Sequence, residues 1–359
     1  MHKLDMYRPE RILIVKLSAI GDVVHALPVA HALEENFPRA EISWIVEDKA
    51  QEILAGNPCL DQVIILPRRE WAKGFKNNKL QTLKEIKDFF IALRKKRFDL
   101  AIDLQGLFKS GLITWLSGAR LRLGYSDSRE GSTLFYNRKV TPPPENIPVV
   151  ERYLELLKPL GVERVEAKFD IAVSGEDKAK IDSLFAFYAI KPQDRLIAIN
   201  PFTSWHSKNW LSGRYAELGD KLIAEAGYKV IFTGGPADQE GIDRILGLMD
   251  REAYNLAGET SLKELAELYS RVYLFIGGDT GPMHLAAAMG VPVIALMGPT
   301  DPARNGPYGT DSIVIQKDLR CKNCWKRECP KLGAEREACM KQIEVDEVFR
   351  AVKEIMERR

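Results

Sequence analysis

The chain has no apolar run long enough to cross a membrane. Its longest apolar stretch, residues 285–297, is short and is interrupted by glycine and proline, whereas a spanning helix needs about 20 apolar residues. The first apolar run, residues 12–17, contains Lys16 and is typical of a strand rather than of a secretory signal. We therefore expect a cytoplasmic protein, whose contact with a membrane surface would be peripheral.

Cysteine is scarce, and neither sign of charge is in large excess. Five cysteines in 359 residues, in a chain expected to be cytoplasmic, argue against a disulfide framework. A net charge of +2, from 52 basic and 50 acidic residues, gives no general reason to expect a nucleic-acid partner. Between Arg68 and Lys109, however, 12 basic residues outnumber 5 acidic ones. This local excess predicts attraction to an anionic surface or acidic substrate, or else a solvated helix face.

Two common nucleotide-binding motifs are also missing. No G-x-G-x-x-G follows an apolar run, and no G-x-x-x-x-G-K-[ST] occurs anywhere in the chain. The first motif marks dinucleotide-binding domains, and the second marks P-loop NTPases. Dinucleotide oxidoreductases and P-loop enzymes are therefore disfavoured.

Apolar runs alternate with helical patterns along the chain. Because 359 residues exceed the size at which one core usually keeps growing, two domains are the default expectation. Short strands separated by amphipathic helices favour an α/β fold with parallel sheets covered on both faces. The expected strands are residues 11–16, 41–46, 62–66, 100–104, 196–200, 229–233, 272–276 and 291–297. We predict Rossmann-like domains over 1–168 and 169–343, with a terminal helix over 344–359 that packs back on the first domain.

Four loops at the expected carboxyl ends of strands are rich in glycine and polar residues, where open parallel sheets bind ligands. The most informative is GGDTGPMH, residues 277–284. Pro282 suits the first turn of a helix and Thr280 or Gly281 its cap, so backbone N–H groups and the Thr280 hydroxyl would receive a diphosphate. His284, one turn later, could reach the phosphate or the sugar. A capped helix with a core histidine is the alternative.

The other three loops are less specific. In residues 201–210, the hydroxyl groups would bind phosphate, and Lys208 would neutralise the charge on a departing diphosphate. The alternative is a loop with no ligand that only leads into the next helix. Residues 233–240 combine a Gly-Gly-Pro turn with acidic groups for a ribose, although such turns are common between strands and helices. In residues 18–22, Asp22 could act as a general base or cap the next helix, and the two roles are compatible.

Several segments resemble the family 9 glycosyltransferases, the lipopolysaccharide heptosyltransferases. They are RILIVKLSAIGDVVHALP (11–28), the loop 203–210 and GGDTGPMHLAAAMGVPVIALMGPTDP (277–302). Residues 103–110 and 128–139 narrow the resemblance to heptosyltransferase I. The resemblance implies a GT-B fold, in which two Rossmann-like domains face one another. It places the donor nucleotide in the C-terminal domain and the acceptor in the N-terminal domain.

The resemblance also implies a reaction and its residues. The reaction is inverting, metal-independent transfer of L-glycero-D-manno-heptose from ADP-heptose to Kdo of the lipopolysaccharide inner core (Kdo2-lipid A), at the cytoplasmic face of the inner membrane. Asp22 matches the catalytic base. Donor-binding residues would be Thr203, Ser204 (in place of a threonine), Lys208, Asp238 (or Glu240 instead), Thr260, Asp279, Thr280, Gly281 and His284. Basic residues that meet the anionic acceptor would be Arg68, Arg69, Lys109 and Arg129.

The cysteine pattern departs from heptosyltransferase I. Four thiols at the spacing Cys321-x2-Cys324-x4-Cys329-x9-Cys339 could hold a structural zinc, and reduced surface cysteines or a redox-labile pair are the alternatives. Because of this departure, the identity of the substrates stays open. The acceptor could be a heptose, as for a second heptosyltransferase, or the donor could be another ADP-sugar. A non-catalytic nucleotide-sugar-binding module and a GT-B sugar-nucleotide epimerase are competing classes. Asp22 together with a separate basic patch favours transfer over both, and the sequence leaves the oligomeric state open.

Overall fold

The computed structural model describes residues 8–163 and 166–358, which form two α/β units. The compact units are residues 1–172 and 173–359, so the division falls a few residues after the expected boundary at 168/169. Each unit contains one sheet of six parallel strands. The predicted α/β class, with two Rossmann-like units, is therefore confirmed.

The first unit builds its sheet in the order β3-β2-β1-β4-β5-β6. The strands are β1 (Arg11–Val15), β2 (Glu41–Glu47), β3 (Gln62–Leu66), β4 (Leu100–Asp103), β5 (Leu121–Tyr125) and β6 (Arg138–Val140). The helices are α1 (Ile20–Asn36), α2 (Gln51–Leu54), α3 (Arg68–Asn77), α4 (Lys79–Lys95), α5 (Phe108–Leu116) and α6 (Val149–Glu155).

The second unit repeats this topology, in the order β12-β11-β10-β7-β8-β9. Its strands are β7 (Leu196–Asn200), β8 (Lys229–Phe232), β9 (Tyr254–Asn255), β10 (Leu274–Gly278), β11 (Val293–Met297) and β12 (Ser312–Gln316). Its longer helices are α7 (Gly175–Phe187), α8 (Ser212–Ala226), α9 (Gln239–Leu246), α10 (Leu262–Ser270), α11 (Gly281–Ala288) and α14 (Val345–Glu357). Two helices of four residues, α12 (Pro302–Asn305) and α13 (Ala338–Lys341), complete it.

The central strands explain why the sequence reads as apolar runs. All residues of β7, β10 and β11 are buried, as are the last four residues of β1. A parallel strand covered by helices on both faces has no solvent-exposed side, so its sequence does not alternate between apolar and polar residues. These strands were predicted from the sequence, whereas β5, β6, β9 and β12 were not.

Each sheet has one point at which the strand order reverses. In the first unit this switch point lies between β1 and β4, and in the second it lies between β7 and β10. Open α/β sheets bind ligands outside the carboxyl ends of the strands at such points. The loops that follow these four strands are therefore the expected positions of ligand-binding and catalytic residues.

The sequence predicted the terminal helix α14, and its expected packing on the first domain stays a prediction. The helix packs on α8 and against β11 and β12 in the second unit. The reason is its apolar stripe, because Val348, Val352 and Ile355 are buried in the core of the second unit. The Trp210 indole also donates to the carbonyl of Ile343, just before the helix, at 3.0 Å. Arg359, the last residue of the expected helix, lies outside the described residues.

Candidate active site

Asp279 is the centre of the polar cluster at the second switch point. It follows β10, and its side chain is only 4% exposed. Lys208, from the loop after β7, places its Nζ 2.7 Å from Asp279 Oδ2. His284, one turn into α11, places its Nε2 3.2 Å from Asp279 Oδ1. The switch point thus brings together three residues that the sequence assigned to two separate loops.

The electrostatics of this cluster keep Asp279 ionised. Burial alone would raise the pKa of the carboxyl, but the hydrogen bond and charge of His284 and the charge of Lys208 hold it well below its usual range. A buried carboxylate of this kind is held in one position by its partners. It therefore orients Lys208 and His284 rather than exchanging protons near neutral pH.

The start of α11 offers backbone donors beside this cluster. Thr280 occupies the N-cap position, yet its hydroxyl makes no capping bond to the helix. The helix begins at Gly281 with Pro282 in its first turn, as the sequence predicted. Free N–H groups and the positive end of the helix dipole favour an anion at this place.

The loop after β7 approaches β10 closely because β10 ends in glycines. A Cβ atom on Gly278 would lie 3.2 Å from both the Lys208 carbonyl oxygen and the Thr203 methyl group. The Thr203 hydroxyl donates to the Trp205 carbonyl at 2.8 Å and thereby fixes the turn. Lys208 Nζ lies 4.4 Å from the centre of the Trp205 ring. Ser204 is exposed on the same loop.

Asp238 and Thr260 lie on neighbouring loops of the same sheet edge. Asp238 Oδ2 accepts a hydrogen bond from the Gly235 N–H at 2.8 Å, so part of this carboxylate stabilises its own turn. Gly258 donates to the Gly234 carbonyl at 3.0 Å, which joins the Thr260 loop to the Asp238 loop. The alternative acid, Glu240, is exposed and pairs with Arg244 one helical turn away.

Asp22 lies at the first switch point, in the first turn of α1. The helix begins at Ile20 with Ala19 as its N-cap, so Asp22 is not the N-cap that the sequence offered as an alternative. From the third helical position, one carboxylate oxygen of Asp22 accepts from the Ala19 N–H at 3.2 Å and so contributes to the cap. The side chain is still 43% exposed. Capping and a role as proton acceptor are therefore compatible, because one oxygen can bond the backbone while the other faces solvent.

Lys16 is a candidate that the sequence analysis did not assign. It directly follows β1, is buried, and places its Nζ 3.8 Å from Asp22 Oδ2. Its Nζ also donates to the Tyr153 hydroxyl at 2.7 Å. Burial would lower the pKa of Lys16, but the negative charge of Asp22 and the contact with Tyr153 outweigh it and raise that pKa. The signal in the sequence was a lysine at the end of an otherwise apolar strand.

A buried acid organises the backbone on which Asp22 depends. Asp103, at the end of β4, accepts from the N–H groups of Gln105 and Gly106 and from the hydroxyls of Ser110 and Tyr136. This fixes Gln105, whose Oε1 accepts from the Leu17 N–H at 3.2 Å. The loop after β4 therefore supports the loop after β1.

Three of the four basic residues expected to meet the acceptor, Arg68, Arg69 and Lys109, are paired with acids. Glu47 Oε1 lies 3.2 Å from Arg68 Nη1 and 2.8 Å from Lys109 Nζ. Arg69 pairs with Asp48 at 3.3 Å. Arg129 is exposed, and its N–H donates to the carbonyl of Gly106 at 2.9 Å. The structure thus brings Arg68 and Lys109 together on one carboxylate.

The four clustered cysteines are free thiols that lie near one another. Burial and the neighbouring Cys324 raise the pKa of Cys339 to about 11. Three or more metal-ligand atoms within 4.8 Å of one another occur at one place in the described part of the chain, and that place is His31, Cys59 and Asp170 rather than this cluster. A structural zinc at Cys321, Cys324, Cys329 and Cys339 stays a prediction.

The cysteine segment nevertheless contacts the loop that carries Lys208. The Ser207 hydroxyl donates to the Lys326 carbonyl at 2.5 Å, and the Ser207 N–H donates to the Arg327 carbonyl at 3.3 Å. The Arg327 guanidinium lies 5.5 Å from the Trp205 ring centre. This segment therefore helps to fix the turn that carries Lys208.

Comparisons with known proteins identify the family of the chain. Residues 86–334 match the model of glycosyltransferase family 9 (heptosyltransferase). The lipopolysaccharide core heptosyltransferase OpsX of Haemophilus influenzae is 30% identical over 311 residues, 85% of this chain and 84% of that protein. Lipopolysaccharide heptosyltransferase 1 of Escherichia coli K12 is 30% identical over 85% of this chain and 93% of that protein. The structure of E. coli heptosyltransferase WaaC with ADP superposes with a TM-score of 0.74, at 27% identity, over 96% of this chain and 99% of that one.

Proposed function

The chain belongs to glycosyltransferase family 9, the heptosyltransferases, and we propose that it transfers a heptose from ADP-heptose to Kdo of the lipopolysaccharide inner core, as in Kdo2-lipid A. The proposal includes inversion at the anomeric carbon and no catalytic metal. Its main structural support is the cluster of Asp279, Lys208 and His284 at the start of α11. A similar enzyme, WaaC, has been solved with ADP.

The donor diphosphate binds at the N-terminus of α11. The Gly281 N–H and the Thr280 hydroxyl donate to phosphate oxygens, and Lys208 adds a positive charge. An ammonium group has three hydrogen-bond donors, so Lys208 can keep its hydrogen bond to Asp279 and still donate to a phosphate oxygen. Thr203 and Ser204 border the same anion, while Asp238 and Thr260 contact the ribose and the rest of the adenosine.

The transfer itself is a single displacement. The acceptor hydroxyl loses its proton to Asp22, its oxygen bonds to the anomeric carbon, and the bond from that carbon to the phosphate oxygen breaks. ADP leaves with the electron pair, and Lys208 with the α11 dipole stabilises the charge that develops on it. Lys16 holds the Asp22 carboxylate in position before the proton arrives.

The acceptor is anionic, and its partners are the basic residues of the first unit. Arg68 and Lys109 exchange part of their interaction with Glu47 for the carboxylate of Kdo. Arg69 and Arg129 extend this surface toward further acidic groups of the acceptor. Arginine suits carboxylates and phosphates because its planar guanidinium can donate two parallel hydrogen bonds.

The helices α3 and α4 suit contact with a lipid surface. In the described residues, no helix is both long enough and apolar enough to span a bilayer. Leu80 and Leu83 of α4 are 81% and 53% exposed, and lysines 79, 84 and 87 lie on the same helix. Exposed apolar side chains beside lysines favour peripheral binding to anionic lipid. As part of the proposal, this contact would hold the enzyme at the cytoplasmic face of the inner membrane, where a lipid-linked acceptor is available.

The direct test is a transfer assay with defined acceptors. The protein is incubated with ADP-heptose and Kdo2-lipid A, and the product is analysed by mass spectrometry. We expect the mass of the acceptor to increase by one heptose in buffer containing a chelator. Parallel reactions use heptosyl-Kdo2-lipid A and no acceptor at all.

Each other outcome identifies a different function. Gain of heptose only on the heptosylated acceptor would make the chain a second heptosyltransferase, in line with the open acceptor choice. Isomerised or hydrolysed donor without acceptor would indicate an epimerase-like activity. Donor binding without turnover on either acceptor would indicate a binding module.

A further inference from the structure

Three metal-ligating side chains from distant parts of the first unit meet away from Asp22. His31 lies on α1, Cys59 lies in the turn before β3, and Asp170 lies near the end of the unit. His31 Nδ1 is 2.9 Å from Asp170 Oδ2. Cys59 Sγ is 3.4 Å from the same oxygen and 3.8 Å from His31 Nδ1.

The 3.4 Å between Cys59 Sγ and Asp170 Oδ2 is the separation of two ligands on one small cation, and the 3.8 Å between Cys59 and His31 is slightly longer. The 2.9 Å hydrogen bond between His31 and Asp170 would have to open by about 0.4 Å around the ion. Bond lengths of about 2.0–2.3 Å around tetrahedral zinc place its ligand atoms roughly 3.3–3.7 Å apart. Nitrogen, thiolate and carboxylate are the three ligand types that Zn²⁺ takes from proteins. We propose that His31, Cys59 and Asp170 bind one Zn²⁺ ion.

The charges and surroundings favour this ion. A thiolate and a carboxylate together balance the two positive charges of Zn²⁺, so the bound site has no net charge. Asn57 holds two of the ligands: its Oδ1 accepts from the Cys59 N–H at 2.9 Å, and its Nδ2 donates to the Asp170 carbonyl at 2.6 Å. Such outer contacts orient the ligands of protein metal sites.

The site is structural in its effect. His31 lies nine positions after Asp22 on α1, which is about 13.5 Å along a helix. The metal is therefore outside the transfer chemistry. It would tie α1 to the turn before β3 and to Asp170, two residues before the first unit ends. The His31 and Asp170 side chains are 20% and 29% exposed, so water can supply the fourth ligand of the proposed site.

The test must exclude the thiols of the other cluster. A variant with serine at positions 321, 324, 329 and 339 leaves Cys59 as the one remaining cysteine. We expect this variant to bind one equivalent of Co²⁺, with a thiolate-to-metal charge-transfer band that Zn²⁺ displaces. Zn²⁺ should also raise its melting temperature, because a ligand that binds only the folded state stabilises it.

Two further substitutions, each made in the variant that lacks the other four cysteines, test which residues bind the metal. Cys59→Ser should remove the charge-transfer band. Asp170→Asn, which can still hydrogen-bond His31, should weaken Co²⁺ binding about 100-fold or more. Folding of each variant is checked by circular dichroism. The proposal is overturned if the folded parent binds no Co²⁺, or if binding persists unchanged after both substitutions, since His31, Cys59 and Asp170 would then form only a hydrogen-bonded group. Heptose transfer is not part of the readout, so failure here leaves the proposed function standing.

Discussion

The two switch points carry the same pair of residues in opposite arrangements. In both units a lysine that follows the first strand pairs with a carboxylate, Lys16 with Asp22 and Lys208 with Asp279. In the first unit the lysine is buried and the carboxylate is 43% exposed, at a distance of 3.8 Å. In the second unit the carboxylate is 4% exposed, at 2.7 Å from the lysine.

This difference in burial separates the two chemical tasks. An exposed carboxylate with a loose ion pair can receive a substrate hydroxyl and accept its proton. A buried carboxylate held by a lysine and a histidine keeps its charge and positions those partners. One topology can therefore supply both a base and an anion site, according to whether the carboxylate of the pair is exposed or buried.

The largest expected effect is on turnover, from Asp22→Asn. We expect kcat to fall about 10²–10⁴-fold, as is usual for loss of a general base, with ADP-heptose affinity unchanged. Asparagine can still cap α1 through its side-chain oxygen. Asp177→Asn is the matched control, because Asp177 occupies the corresponding capping position of α7. Turnover near the wild-type rate in Asp22→Asn would remove Asp22 as the base.

Next in size is a stability effect from Asp279→Asn. Removing the charge leaves Lys208 and His284 without their buried anion, and breaking a buried ion pair costs about 3–5 kcal/mol of unfolding free energy. Urea denaturation measures this loss. Asp311→Asn, which breaks an exposed pair with Arg358 in the same unit, should cost less than about 1 kcal/mol. Equal costs for the two variants would contradict the contrast between a buried and an exposed carboxylate.

The pH dependence of that loss has a defined sign. The pKa of Asp279 is lower in the folded state than in the unfolded chain, so its contribution is complete above about pH 4 and is lost as the pH falls below that value. The wild-type protein and Asp279→Asn should therefore differ in urea midpoint at neutral pH and converge in acid. A constant difference down to pH 3 would show that Asp279 acts by packing alone.

A smaller effect is expected on donor binding, from Lys208→Met. Hydrogen bonds to charged groups are worth about 1.5–3 kcal/mol, so ADP affinity should fall about 10–100-fold by calorimetry. Lys229→Met is the control, since Lys229 begins β8 and so lies at the opposite edge of the sheet. If both variants bind ADP like the wild type, the diphosphate does not bind beside Asp279.

The sequence predicted the buried strands and the glycine-rich loops because both leave local patterns. It missed the edge strands, such as β6, whose Arg138 and Lys139 give no apolar run. Only tertiary pairing with β5 defines that strand. Lys16 was visible, but its partner Tyr153 lies 137 residues away. The group at His31, Cys59 and Asp170 also spans the whole first unit, and no spacing rule connects its members.

The smallest effect concerns the acceptor side, from Glu47→Gln. Glu47 holds both Arg68 and Lys109, so it competes with an anionic acceptor for the same cations. A partly exposed ion pair is worth about 0–1 kcal/mol, so releasing it should lower the KM for Kdo2-lipid A by up to about five-fold. The KM for ADP-heptose should not change, and Glu155→Gln, which frees Lys158 instead, should change neither. A rise in the KM for Kdo2-lipid A would mean that Glu47 positions Arg68 and Lys109 for the acceptor. Glu47 would then act on its cations as Asp279 acts on Lys208 and His284.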